Sequence, residues 1–347
     1  MSAILGNTSG NGGAFSGQFV QFVGALPAGF TALAGALPTV PGTSGGQFLA
    51  VDETSNLGGT PAFASAAASL DGKSVYVCMS YSDVTTFGLY RYDVAADLYY
   101  ALPAMPYSPG ATGCICPSIA TLADGRILVV GGNNPSSAFV IAYILTLTGP
   151  NTGQWSQAAN YPAPMYGGQM ITLKGGKVLY AGGNDYSGSC NLYDPVANTW
   201  TATTNKMVGV QGHALAMLPS GKVLRCSGFN GTGLDGTYQI YDPVANAWGA
   251  TKACNNTPVG FAYSTAAGCG VFGPDGRTLA LYSETSDAWA TTTIAIPFNP
   301  AGTGSHFVTS TLLADGTVFL PKTTNRQRAL RLANGIHNAV IINAVKN

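Results

Sequence analysis

The chain is short of charge: only 9% of its 347 residues are Asp, Glu, Lys or Arg, with 15 acidic and 15 basic side chains. So thin and even a balance leaves no electrostatic footprint for a nucleic-acid backbone or an anionic membrane surface, and neither partner is expected. Glutamate is almost missing, with Glu53 and Glu284 alone, and histidine is limited to His213, His306 and His337. The seven cysteines (Cys78, Cys114, Cys116, Cys190, Cys226, Cys254 and Cys269) contain no CxxC pair. Cys114 and Cys116 have no second close pair to complete a zinc site, so the set reads as small, buried, reduced hydrophobes, with no metal or cofactor. Long apolar runs are absent too. Phe19 to Leu26 and Phe30 to Leu37 are broken by Pro27, Gly29, Gly35 and Pro38, too short to cross a bilayer, and no membrane insertion is expected. No basic residue precedes Lys73, so no secretory signal with a positive n-region is read, and synthesis in a cytosol is expected.

What is present is turn chemistry and apolar strand material. The 46 Gly and 20 Pro accompany 46% apolar residues, a composition of many short strands rather than of disorder. The length suits one large all-β domain or two ordinary ones. Ser, Thr, Asn, Gln and Gly stand where a cytosolic surface carries Lys and Glu. Such a surface suits life outside a cell, and with no export signal it fits release by lysis, as for a virion component.

A repeat runs along the chain. A turn of the form Asp/Gly/Ser-Gly-Lys/Arg/Thr, followed by a β-type run, occurs at Asp71, Asp124, Gly175, Ser220, Asp275 and Asp315, at intervals of 53, 51, 45, 55 and 40 residues. ADGRILVVGGN (Ala123 to Asn133) and KGGKVLYAGGN (Lys174 to Asn184) share a strand ending in Gly-Gly-Asn. A second hairpin follows, in NLYDPVANTWTA (Asn191 to Ala202), QIYDPVANAWGA (Gln239 to Ala250) and, more weakly, YRYDVAADLYYA (Tyr90 to Ala101). Pro fixes φ, Asp accepts local backbone N–H groups and Asn tolerates a left-handed backbone, which predicts a tight turn between two strands. Two hairpins per copy make a four-stranded antiparallel sheet apolar on both faces. Radial stacking buries both faces and leaves only short outer edges.

The Gly-Gly after a β run, the Tyr before the second turn and the later Trp (Trp155, Trp200, Trp248) resemble kelch repeats of the bacterial and galactose-oxidase type. VQGHALAMLPSGKVL (Val210 to Leu224) is the most typical copy, and the resemblance spans roughly Pro61 to Leu332. It implies a kelch-type β-propeller of four-stranded antiparallel blades. Six blades are counted. A seventh could use the N-terminal strands Gln18 to Val23 and Gln47 to Val51 with the run Asn338 to Val345, whereas pairing first and last strands in one blade closes a ring of six. Residues 1–45 form a Gly-rich arm, and 46–347 the propeller.

The same resemblance raises a copper-radical oxidase, whose cofactor joins a cysteine to a tyrosine. CPSIATLADGRILVVGGN (Cys116 to Asn133) is similar to the segment carrying that cysteine, and Tyr166 lies near the partner tyrosine, one residue out of register. The copper ligands then fail: where the family has a Tyr-His pair, this chain reads Ser305-His306-Phe307, so near-square nitrogen and oxygen coordination is not supplied. A glycosidase needs two opposed carboxylates, and seven of the fifteen (Asp71, Asp124, Asp275, Asp315, Asp93, Asp194 and Asp242) fall in turns. No nucleophile elbow opens a helix. His213 follows Gly212, as histidine commonly does in kelch copies, and a hydrogen bond inside the blade is its expected role.

The reading is a non-enzymatic binding or structural propeller. Its loops Asn133 to Phe139, Asn184 to Ser189 and Phe229 to Thr237 carry the polar and aromatic chemistry that meets a host-surface protein or glycan. The candidate binding residues are Tyr166, His213, His306, Arg326 and Arg328, the arginines belonging to a basic cluster with Lys322 and Arg331. A phage virion protein in an oligomeric assembly, attached to other virion proteins through the arm, is the leading expectation. A copper-radical oxidase and an intracellular kelch adaptor are the alternatives.

Overall fold

A computed structural model describes residues 2–5, 20–23, 48–52, 61–81, 87–94, 98–106, 117–133, 137–150, 152–254, 262–264, 268–272, 278–293, 311–312, 317–320, 330–333 and 341–344. Among them there is no helix, and every regular element is a strand.

The described residues build six successive sheets of four or five strands and one separate two-stranded sheet. The first comprises Pro61–Ala68, Ser74–Tyr81, Phe87–Asp93 and Leu98–Ala101. The second comprises Ser118–Thr121, Ile127–Val130, Ala142–Leu145 and Trp155–Gln157. The third comprises Gln169–Thr172, Val178–Ala181, Cys190–Asp194 and Thr199–Ala202. The fourth comprises Ala214–Met217, Val223–Cys226, Thr237–Asp242 and Ala247–Trp248, with Lys252–Ala253 beside its third strand. The fifth comprises Ala262–Ser264, Gly268–Phe272, Thr278–Ser283 and Ala288–Thr293. In each the strands pair antiparallel in chain order.

The sixth sheet runs Thr311–Leu312, Thr317–Leu320 and Leu330–Ala333 and then takes in Phe48–Asp52, antiparallel to Leu330–Ala333, with Ile341–Ala344 parallel on its far side. First and last parts of the chain thus share one sheet. Ser2–Leu5 and Val20–Val23 form the two-stranded sheet. The first strands of successive sheets adjoin one another in order, and the first strand of the sixth adjoins that of the first. This is a propeller-like arrangement.

The repeat turns have one geometry. The glycine N–H donates to the residue three before it at Gly72 to Ser69, Gly125 to Leu122, Gly176 to Leu173 and Gly221 to Leu218, all at 2.9 Å. Each glycine has φ between 65° and 91°, which only glycine adopts without strain. Asp71 and Asp124 accept the N–H two residues on, both at 3.1 Å, so their carboxylates are committed to turns, as the sequence predicts.

The core lies in the seams between sheets. Leu128, Val130, Tyr180 and Tyr193 pack between the second and third sheets, and Leu179, Met207, Val210, Val223 and Tyr241 between the third and fourth. Cys226, Tyr238, Cys269 and Tyr282 pack between the fourth and fifth. The second strands Ile127–Val130, Val178–Ala181 and Val223–Cys226 are buried at every position, because both of their faces meet a neighbour. All five described cysteines (Cys78, Cys190, Cys226, Cys254 and Cys269) are free and buried.

Candidate functional site

In these antiparallel sheets the connection from second to third strand and the entry to the first strand share one end. The repeat turns occupy the other. The loop residues 131–133, 137–141, 182–189 and 227–236 therefore gather at one end with the entry segments 158–168 and 203–213. Tyr166 and His213 both belong to this end.

Tyr166 is half-buried and bound through its backbone: its N–H donates to Asn184 Oδ1 at 3.1 Å, and its carbonyl accepts the Asn184 N–H at 3.0 Å. The Asn of the Gly-Gly-Asn signature thus ties the loop to the entry segment. Beside it Tyr186 holds a left-handed backbone at φ 50°. Its hydroxyl accepts from Gln211 Nε2 at 2.7 Å, and its ring meets Phe229 of the fourth-sheet loop edge-on at 6.2 Å. Burial, with the Tyr166 hydroxyl adding to it, raises the Tyr186 phenol above its usual range. Tyr166, Asn184, Tyr186 and Phe229 form a fixed, partly exposed aromatic and amide surface.

His213 is fully buried, as a place inside the blade requires and away from direct contact with a surface ligand, but neither ring nitrogen has a hydrogen-bond partner among the described residues. Desolvation, with the Arg225 charge adding to it, pushes its imidazole down to about 3, so it is neutral at ordinary pH. His306, Arg326, Arg328, Lys322 and Cys116 lie outside the described residues.

The strongest polar feature is one the sequence reading missed. Arg225, in the fully buried second strand of the fourth sheet, pairs through Nη1 with Asp235 Oδ2 at 2.5 Å. Nη1 also donates to the carbonyls of Ser227 at 3.3 Å and Thr237 at 3.0 Å, and Nη2 donates to Gln239 Oε1 at 3.2 Å. Gln239 Oε1 accepts the Val208 N–H at 2.7 Å as well. One guanidinium thus clamps both ends of the 227–236 loop. The signal available in sequence was a lone arginine in an apolar strand, VLRC, where the third-sheet copy has VLYA.

At the outer side of the fourth and fifth sheets lies a groove of about 440 Å³ lined by Trp248, Gly249, Tyr282 and Glu284 among others. Its charges are already engaged, Lys222 with Asp242 at 3.0 Å and Lys252 with Asp287. Among the described residues no group of three or more His, Cys, Asp or Glu side chains is placed to hold a metal ion. No protein-family profile matches the chain, and no curated protein matches it.

Proposed function

We propose that the chain is a six-bladed kelch-type β-propeller that binds rather than catalyses, and that it serves as a phage virion component contacting other virion proteins or a host-surface protein or glycan. The observation that carries this reading is the gathering of the Gly-Gly-Asn loops at one end of a cyclic set of rigid sheets. There, Tyr166, Asn184, Tyr186 and Phe229 are fixed by hydrogen bonds and ring packing and still reach solvent in part. Rigid aromatic side chains flanked by amides and hydroxyls lose little entropy on binding and adapt to polar surfaces. A count of six is supported by the adjoining first strands and by the pairing of Phe48–Asp52 with Leu330–Ala333, which brings the ends of the repeat array into one sheet. The low-charge, amide-rich surface and the Gly-rich residues 1–45 support a role in an extracellular assembly, with the arm as the attachment segment.

Particles purified by density gradient from cells producing the chain test the proposal. Co-sedimentation with the particle peak is expected, and recovery of the chain solely in the soluble fraction with a host protein overturns it in favour of an adaptor.

A further inference from the structure

Three differences from the second and third sheets fall together in the fourth sheet. Arg225 stands where the second and third sheets place Val129 and Tyr180. Ser227, at φ 56°, stands where they turn on Gly131 and Gly182, at φ 69° and 65°; a residue with a Cβ is disfavoured in that conformation. His213 stands where the third sheet has Gly168, just ahead of the first strand.

These residues converge on the seam with the third sheet. The His213 ring lies 2.8 Å, at Cε1, from where a Cβ on Gly182 would sit, and the Arg225 charge acts on both His213 and Cys190. His213 sits one residue before the last ladder pair of its strand, Ala214 with Cys226, and Ser227 one residue after it. All three side chains are wholly buried, and four of their polar atoms have no partner among the described residues: His213 Nδ1 and Nε2, Arg225 Nε and Ser227 Oγ.

Buried polar groups are almost always satisfied, and a cluster of orphans on neighbouring residues marks a missing partner. Its chemistry follows from the donor and acceptor inventory. A neutral imidazole presents one N–H and one bare nitrogen, Arg225 Nε only donates, and the serine hydroxyl does both. A halide only accepts and would leave the bare imidazole nitrogen unmade. A cation would meet the Arg225 charge, with the Asp235 carboxylate already taken. Water donates and accepts.

We propose that ordered water sits between the third and fourth sheets, held by His213, Arg225 Nε and Ser227 Oγ, and that it fixes the base of the 227–236 loop against the third sheet. Arg225 clamps the loop ends directly, and the water completes the remaining bonds of the same residues. Among the described copies of the repeat, the fourth-sheet loop is then the one with a solvated polar base.

A high-resolution crystal structure of the full chain tests this. Expected is density about 2.7–3.2 Å from a His213 nitrogen and from Ser227 Oγ or Arg225 Nε. Dry protein packing at that place, or an anomalous peak there after a bromide soak, overturns the proposal. Hydrogen exchange of the 228–236 amides in Ser227→Gly provides a second readout. If the seam is dry, restoring the repeat's glycine relieves backbone strain and slows exchange or leaves it unchanged, which also overturns the proposal. If Ser227 Oγ holds water, exchange rises about tenfold, as expected for one lost buried hydrogen bond.

Discussion

His213 makes the molecule acid-sensitive through one residue. Its imidazole is held at about 3 in the fold against an ordinary value of about 6.5. The fold accepts the neutral form, so this contribution is whole above about pH 6.5 and drains away as pH falls toward 3. At about 1.4 kcal/mol per pH unit, about 2 kcal/mol is lost by pH 5. Urea midpoints measured at neutral pH and at about pH 5 should therefore drop more in the native chain than in His213→Gln; equal drops would show that His213 titrates alike in the folded and unfolded chain. Arg225 is a second single-residue dependence. Its side chain is 0% exposed and that of Asp235 11%, so Arg225→Met strands a buried carboxylate and should cost about 3–5 kcal/mol. Adding Asp235→Asn should recover part of that loss in the same denaturant assay, and no recovery would place the cost in packing alone. The thiols report on seam closure. Burial pushes Cys190 up to about 11 and raises Cys226 and Cys269 as well. Thiolate is the reactive form, so in native protein a disulfide reagent should label Cys114 and Cys116 at most on a fast timescale. Fast labelling of the other five would show the seams opening.

Within an element, the Asp-Pro-Val-Ala-Asn hairpin is the most legible unit of the chain. Asp194 accepts the N–H groups of Val196 and Ala197, both at 3.0 Å, and Asp242 those of Val244 at 2.9 Å and Ala245 at 3.3 Å. Asn198 and Asn246 take the left-handed backbone at φ 54° and 53°, which the pattern of residues predicts. The tertiary role of these asparagines was not legible. Tyr193 and Tyr241 donate their hydroxyls to Asn198 and Asn246 at 2.8 and 2.7 Å, and Asn198 also accepts the Ala159 N–H, 2.7 Å away, from the preceding connection. Trp155 and Trp200 likewise reach the carbonyls of Pro103 and Ala159 in the connection before their own sheet, at 3.0 and 2.8 Å. Those partners lie 52 and 41 residues back, set by sheet stacking rather than by local pattern. Asn246→Ala loses both the left-handed preference and the tyrosine bond and should cost about 1–2 kcal/mol. Asn246→Gly keeps the backbone and should cost less. Thermal or denaturant midpoints order the pair, and the reverse order would show that the left-handed backbone at this position carries nothing.

Across the whole molecule, one short strand closes the set of sheets. Phe48–Asp52 pairs with both Leu330–Ala333 and Ile341–Ala344, so a contact between distant parts of the chain protects an otherwise open edge. A chain beginning at residue 46 retains this strand, and one beginning at residue 54 lacks it. The shorter chain should melt about 10 °C or more below the longer one, the effect of a few kcal/mol at this size, and should self-associate by gel filtration through the exposed edge. Equal melting and elution would show that the sixth sheet stands without its borrowed strand.

The sequence by itself determined the repeat, the turn glycines and aspartates, the four-stranded unit and the need of each sheet for two neighbours, because these follow from backbone geometry and hydrophobic pattern within about fifty residues. Tertiary structure decided which strand closes the array and which residues share a seam. Arg225, Asp235, Ser227 and His213 are unremarkable letters until stacking presses one face of the fourth sheet against the third. There, the loss of solvent turns scattered polar side chains into a single network whose members must find partners.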